Sequence, residues 1–171
     1  ASTWNQELVE QMGECIGEDG LKSGVKGWYA PGAGTHRTPY GGRNFEYYSE
    51  DGFLSGKICA AEVRGAQSKG MYVYLKHLVL NDQEDRRYGI ATFCQEQVLR
   101  ELYMTPFEIC VKEADAHGMM AAFDSIGGIW CGANEDLLED VLRGEWGFRG
   151  IVVTDYATAN GGYMWIDMGL Q

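Results

Sequence analysis

A carboxylate, a lysine–histidine pair and an arginine-bearing loop are the groups in this sequence best suited to chemistry. Asp155 follows the apolar run Ile151-Val152-Val153 and is flanked by Thr154 and Tyr156. A carboxylate there is often a cap or loop residue. Held rigidly at a strand end, it also meets the need of glycoside cleavage for a carboxylate beneath an anomeric carbon. Lys76 and His77 interrupt the apolar run MYVYLKHLVL. A lysine there is costly unless it is paired or faces a polar cavity, and the NDQE that follows offers Asp82 and Glu84 as partners. In GGRNFEYYSED, Gly41-Gly42 permits close backbone approach. Arg43 presents a planar fork of donors suited to adjacent hydroxyls or a carboxylate, and the aromatic rings beside it can stack on the apolar face of a sugar.

The elements that must position these groups alternate between two periods. Trp4, Leu8, Met12, Cys15 and Ile16 recur at helical spacing, predicting an amphipathic helix over about 3–18 that Gly20 and Gly24 break. A short strand over Val25 to Ala30 leads into a Gly-, Arg- and aromatic-rich loop, Gly32 to Asp51, whose length marks it as functional. A second helix spans about 53–68, with Leu54, Ile58, Ala61 and Gly65 on one stripe, and MYVYLKHLVL follows as a strand. A third helix carries Cys94, Val98 and Leu102 until Pro106 kinks or divides it. HGMMAAF is another strand, Asn134 caps a fourth helix, and GIVVT is the clearest strand of all. YMWIDMGLQ reads as the start of a fifth helix. Alternating strands and helices predict a parallel α/β sheet with strands buried on both faces. The polar residues Arg37, Arg43, Lys76, His77, Asp124 and Asp155 all fall near strand ends, which favours a barrel mouth over an open sheet. The expected fold is a partial (β/α)8 TIM-type barrel of about four strand–helix units, too short to close.

Singly these signals are weak, but in this order they resemble the catalytic barrel of glycoside hydrolase family three, whose members include β-glucosidases and β-xylosidases. The likeness is carried by ASTWN, GGRNFEYYSEDGFLSG, KHLVLNDQE, ELYMTPFEICVKEA and LLEDVLRGEWGFRGIVVTDY. It implies a retaining exo-acting β-glycosidase with residues 1–171 inside one catalytic domain. It further implies that Asp155 is the nucleophile and that Arg43, Lys76 and His77 bind the sugar's hydroxyls. Met120 matches a methionine that lines the pocket in the family's β-glucosidases, and Tyr156 stands where a tryptophan platform is usual. Lys76 and Arg43 are expected to keep Asp155 ionised. Phe123 replaces a common tyrosine and Asp124 a common asparagine. If Asp124 faces Asp155, one of the two pKa values rises. The acid/base is unassigned: the family takes that glutamate from a second domain, and no motif gives the role to Glu46, Glu84 or Glu113. The chain alone is therefore expected to be an inactive or sugar-binding remnant. Its partners are a β-glycoside or oligosaccharide substrate and the missing barrel half and second domain, with a homo-oligomer also open.

Twenty-five acidic against fourteen basic residues, a formal charge of −11, disfavour a nucleic-acid partner. Gly32-Ala33-Gly34 lacks the third glycine of a dinucleotide loop. His36, His77 and His117 are dispersed, so no metal is expected, and no cofactor. The five cysteines (15, 59, 94, 110 and 131) form no CxxC pair and read as buried thiols. With no apolar run long enough for a membrane span and no signal peptide, the expectation is a cytoplasmic protein, its Ala-Ser-Thr-Trp opening processed or truncated.

Overall fold

The computed structural model describes residues 1–88 and 90–156. The helix expected over YMWIDMGLQ lies outside them. Along the chain the elements are α1 (Gln6–Lys22), β1 (Gly27–Trp28), α2 (Gly52–Ser68), β2 (Tyr72–Val73), β3 (Leu75–Leu78), β4 (Ala91–Thr92) and α3 (Glu96–Val98). A π-type stretch (Leu99–Met104), α4 (Thr105–Ala114), β5 (Gly118–Ala121), β6 (Ser125–Ile126), β7 (Ile129–Trp130), a second π-type helix (Asp136–Glu145) and β8 (Ile151–Thr154) follow.

β1 pairs parallel with β2, β3 with β5, and β5 with β8. Tyr74 joins β2 to β3, its N–H donating to Trp28 O at 2.8 Å. The two sheets thus form one ribbon in which spatial order follows chain order, with a helix between successive strands. That is the pattern of a barrel wall, here open. β4, β6 and β7, drawn from the segments after β3 and β5, form a separate small sheet.

The core lies between the ribbon and helices α2 and α4, with Cys59, Val63, Leu75, Leu78, Phe107 and Met119 buried in it. In β5, Met119 and Ala121 join this core while the buried Met120 does not. The two-residue period of a strand therefore turns Met120 to the opposite face, the inside of the wall.

Four departures from the expected elements have physical causes. The face of α1 that packs on α2 is Val9, Gly13 and Gly17, not the apolar stripe, and Leu8 is 50% exposed. A Cβ on Gly13 would strike the carbonyl of Glu62, and one on Gly65 that of Glu10. Glycine alone allows the two backbones to come so close. Gly20 sits inside α1, and the chain turns at Gly24, whose φ of +78° suits glycine. Pro106 does not divide its helix: lacking an N–H, it follows the wide π-type stretch that absorbs the lost bond. β8 is less buried than its apolar sequence suggests, Ile151 being 54% exposed, because it forms the edge of the ribbon among the described residues. Cys59, Cys110 and Cys131 are buried as expected, but Cys15 and Cys94 are exposed. Asn134 caps the Asp136–Glu145 helix by accepting the Leu137 N–H at 3.0 Å.

Candidate active site at the carboxyl ends of the strands

β8 delivers Asp155 directly beyond its last residue, Thr154. One carboxylate oxygen, Oδ1, accepts the Tyr156 N–H at 2.7 Å. The other, Oδ2, lies 3.3 Å from His77 Nε2, within ion-pair reach but out of line for a hydrogen bond. The Asp155 side chain is 14% exposed.

His77 enters from the end of β3 and is buried. Burial, reinforced by the charges of Arg43, Lys76 and Arg87, holds its pKa well below the usual histidine value, so the ring is neutral near pH 7. Its Nδ1 meets the Tyr47 hydroxyl at 3.1 Å. Burial pushes that phenol up to about 12. The Asn81 amide Nδ2 donates to Tyr47 Oη at 3.4 Å and to Glu84 Oε1 at 2.9 Å. Glu84 in turn accepts from Arg87 at 2.7 Å and lies 3.9 Å from Arg43.

The long loop supplies the rest. A short 3-10 turn, Asn44–Glu46, is braced by Asn44 Nδ2 donating to Thr38 O at 2.7 Å. His36 Nε2 contacts the Asn44 and Tyr47 carbonyls at 2.9 and 3.0 Å. This turn sets Arg43 Nε against Glu46, whose second oxygen is 3.3 Å from Lys76 Nζ. Burial pushes the Glu46 pKa up, but the Arg43 hydrogen bond and the two cations outweigh it and hold the carboxylate below its ordinary value.

Arg43, Lys76, His77 and Asp155 therefore belong to one contact network. The partner of Lys76 is Glu46 from the preceding loop, not Asp82 or Glu84 from NDQE. The ion pairs of Arg43 and Lys76 go to Glu46 and Glu84 rather than to Asp155. Met120 lies on the inner face of β5, opposite Val153 of β8. Tyr156 follows Asp155 and is 77% exposed.

Phe123 is buried, with the Arg87 guanidinium 4.6 Å over its ring and Tyr88 edge-on at 4.8 Å. Asp124 is 1% exposed, and its Oδ1 has no hydrogen bond among the described residues. Its pKa is pushed up to about 8, first by burial and then by the charges of Asp82 and Glu84, against Arg87. Asp155 is not among the causes: the like charges acting on Asp124 are Asp82 and Glu84, in place of the Asp155 considered from the sequence. Asp82 is itself raised to about 6 by burial, against the charge of Arg37 and a Tyr103 hydrogen bond.

Three members of the network, Tyr47, Asn81 and Arg87, are not predicted by the sequence. Tyr47 and Asn81 lie in segments already singled out and Arg87 three residues beyond NDQE, but no period or motif distinguishes them from their neighbours.

The sequence pattern of the glycosyl hydrolase family 3 N terminal domain matches residues 1–165. The chain belongs to glycosyl hydrolase family 3. Thermostable beta-glucosidase B of Acetivibrio thermocellus is 41% identical over all 171 residues, which are 23% of that protein. The exo-alpha-(1->6)-L-arabinopyranosidase of Bifidobacterium breve is also 41% identical, over 91% of this chain and 21% of its own. Among solved family 3 structures, beta-glucosidase 3B from Thermotoga neapolitana in complex with glucose superposes with a TM-score of 0.89 at 46% identity, covering 91% of this chain and 22% of that one. The chain thus spans about a fifth of the length of the family 3 relatives it matches, and its fold is part of their TIM-barrel-like α/β domain.

Proposed function

We propose that this chain is part of the catalytic barrel of a retaining, exo-acting β-glycosidase of β-glucosidase or β-xylosidase type, with Asp155 as the nucleophile. The observation that carries this reading is Asp155 itself. In a family 3 chain it stands at the end of a barrel strand, one oxygen held by the Tyr156 N–H and the other, buried, without a hydrogen bond among the described residues. Arg43, Lys76 and His77 would bind the sugar's hydroxyls, with Met120 and Tyr156 lining the pocket.

In the proposed reaction Asp155 forms a C–O bond to the anomeric carbon as the glycosidic C–O bond breaks, and the leaving oxygen takes a proton from a second carboxyl group. That group, now a base, deprotonates the water that displaces Asp155, so configuration is retained. The second carboxyl would stand roughly 5–5.5 Å away. Glu46 and Glu84 are committed to cations, and Glu113 is bonded to Lys57 at 2.7 Å between α2 and α4, so the acid/base stays unassigned. The β-glucosidase names among the relatives support this reading, and the arabinopyranosidase makes a panel of terminal sugars the proper screen.

A 2-deoxy-2-fluoroglycoside matched to the preferred sugar tests the assignment: peptide mass spectrometry should find the label on Asp155. A label on any other residue refutes it. A second reading is favoured by a different observation, the small share of each relative that the chain spans together with the exposed edge of β8. On its own the polypeptide would be inactive. Turnover by the isolated 171-residue chain would exclude this.

A further inference from the structure

A chain from the half-buried Glu84 carboxylate through a buried amide and phenol ends on the ring of His77, and the proton positions along it follow from chemistry. Glu84 accepts the Arg87 N–H at 2.7 Å, and as a carboxylate it has only acceptor oxygens to offer. The group of Asn81 that faces it at 2.9 Å must then be the amide nitrogen, because a carbonyl oxygen there would meet a carboxylate. Asn81 Oδ1 is buried without a hydrogen bond among the described residues, consistent with an orientation imposed from the Glu84 side. The same Nδ2 occupies an acceptor site on the Tyr47 oxygen at 3.4 Å. Tyr47 has one proton, and Nδ1 of the neutral His77 stands 3.1 Å from it. If that Nδ1 carried a proton, the Tyr47 oxygen would accept twice and its own O–H would be left buried and unused. Donation from Tyr47 to Nδ1 leaves neither the phenol proton nor the ring nitrogen unused.

We propose that Tyr47, Asn81 and Glu84 are positioning residues that lock His77 in the tautomer carrying its proton on Nε2. Resting on the glycosidase reading for its use, this lock makes the site-facing nitrogen, 3.3 Å from Asp155 Oδ2, a neutral donor. It can offer an N–H to the oxygen of a sugar hydroxyl, and to the carboxylate once ring or carboxylate turns into line, the two not being hydrogen-bonded here. It cannot act as a base towards either. The tautomer of a histidine is set by the hydrogen bond made by its other nitrogen, and here that bond begins three side chains away.

Magic-angle-spinning NMR of the intact protein with isotope-labelled histidine reads the tautomer directly. The His77 signals are assigned by their loss in His77→Gln, apart from those of His36 and His117. The wild type should show His77 as the Nε2–H form. In Asn81→Asp, made together with Glu84→Gln so that two carboxylates do not meet, the group facing Tyr47 becomes an acceptor, the phenol proton turns to it, and His77 should switch to Nδ1–H. Tyr47→Phe, which keeps the ring, should shift the tautomer ratio by about tenfold, the worth of one hydrogen bond. An Nδ1–H ring in the wild type, or an unchanged tautomer in that double variant, overturns the lock. The readout needs no turnover: an Nε2–H ring in a protein that cleaves no glycoside upholds the lock and removes only the glycosidase reading.

Discussion

Replacing Asp124 by asparagine keeps the shape of a buried side chain and removes its ability to ionise. In the folded protein this carboxyl titrates at about 8, against an ordinary value of 3.8. The raised value means that the folded state holds a proton which the unfolded state releases. The associated stability is therefore fully present below pH 3.8 and is lost as pH rises, until the loss levels off above about 8. Within that window the slope is about 1.4 kcal/mol per pH unit, so wild type should lose roughly 3 kcal/mol relative to Asp124→Asn between pH 5 and pH 7. For a domain of this size that corresponds to a gap in melting temperature widening by roughly 6–12 °C. Calorimetric or circular dichroism melts of both proteins at matched ionic strength measure it. Any fixed offset from an asparagine amide without partners cancels in the comparison across pH, as does the titration of Asp82, which both proteins share. Parallel stability curves would show that Asp124 ionises in the fold as it does in water, and the reasoning from its burial would be wrong.

Three further outcomes follow from the same geometry. If the proposed nucleophile role of Asp155 holds, Asp155→Asn in the glycosidase should cut kcat by about 10⁴-fold or more and abolish fluoroglycoside labelling in the mass spectrum. Gly65→Ala should destabilise by about 1–3 kcal/mol in chemical denaturation, because its methyl has no room beside the Glu10 carbonyl. Lys76→Met should weaken the acid loss of stability. The Glu46 pKa is held below 4.5, so its contribution is present above that pH and fades as pH falls through the folded value. Without Lys76 that fading should be smaller in a pH titration of the melting temperature.

The parallel order of strands and helices was legible because the apolar runs and the helical periods are both strong, as in GIVVT and the 53–68 helix. The family 3 likeness then pointed to Arg43, Lys76, His77 and Asp155, and the fold places all four in one network. What escaped the sequence was pairing. Lys76 stands beside two acidic residues in NDQE yet bonds to Glu46, because strand–loop proximity outranks sequence proximity. The apolar stripe of α1 was misread because helical periodicity marks hydrophobic residues, whereas close packing on α2 selects glycines. Tyr47 and Asn81 were invisible for a related reason: a buried hydrogen-bond chain leaves no period in the sequence.

The ribbon in which every strand pairs with its predecessor also orders the birth of the site in time. Each strand–helix unit can dock on the one already made, without waiting for distant chain, and domains fold from the amino terminus during synthesis. On a ribosome the loop bearing Arg43 and Tyr47 emerges first, and His77 and Asn81 then settle against it. Asp155 arrives last, to a histidine whose orientation is already decided.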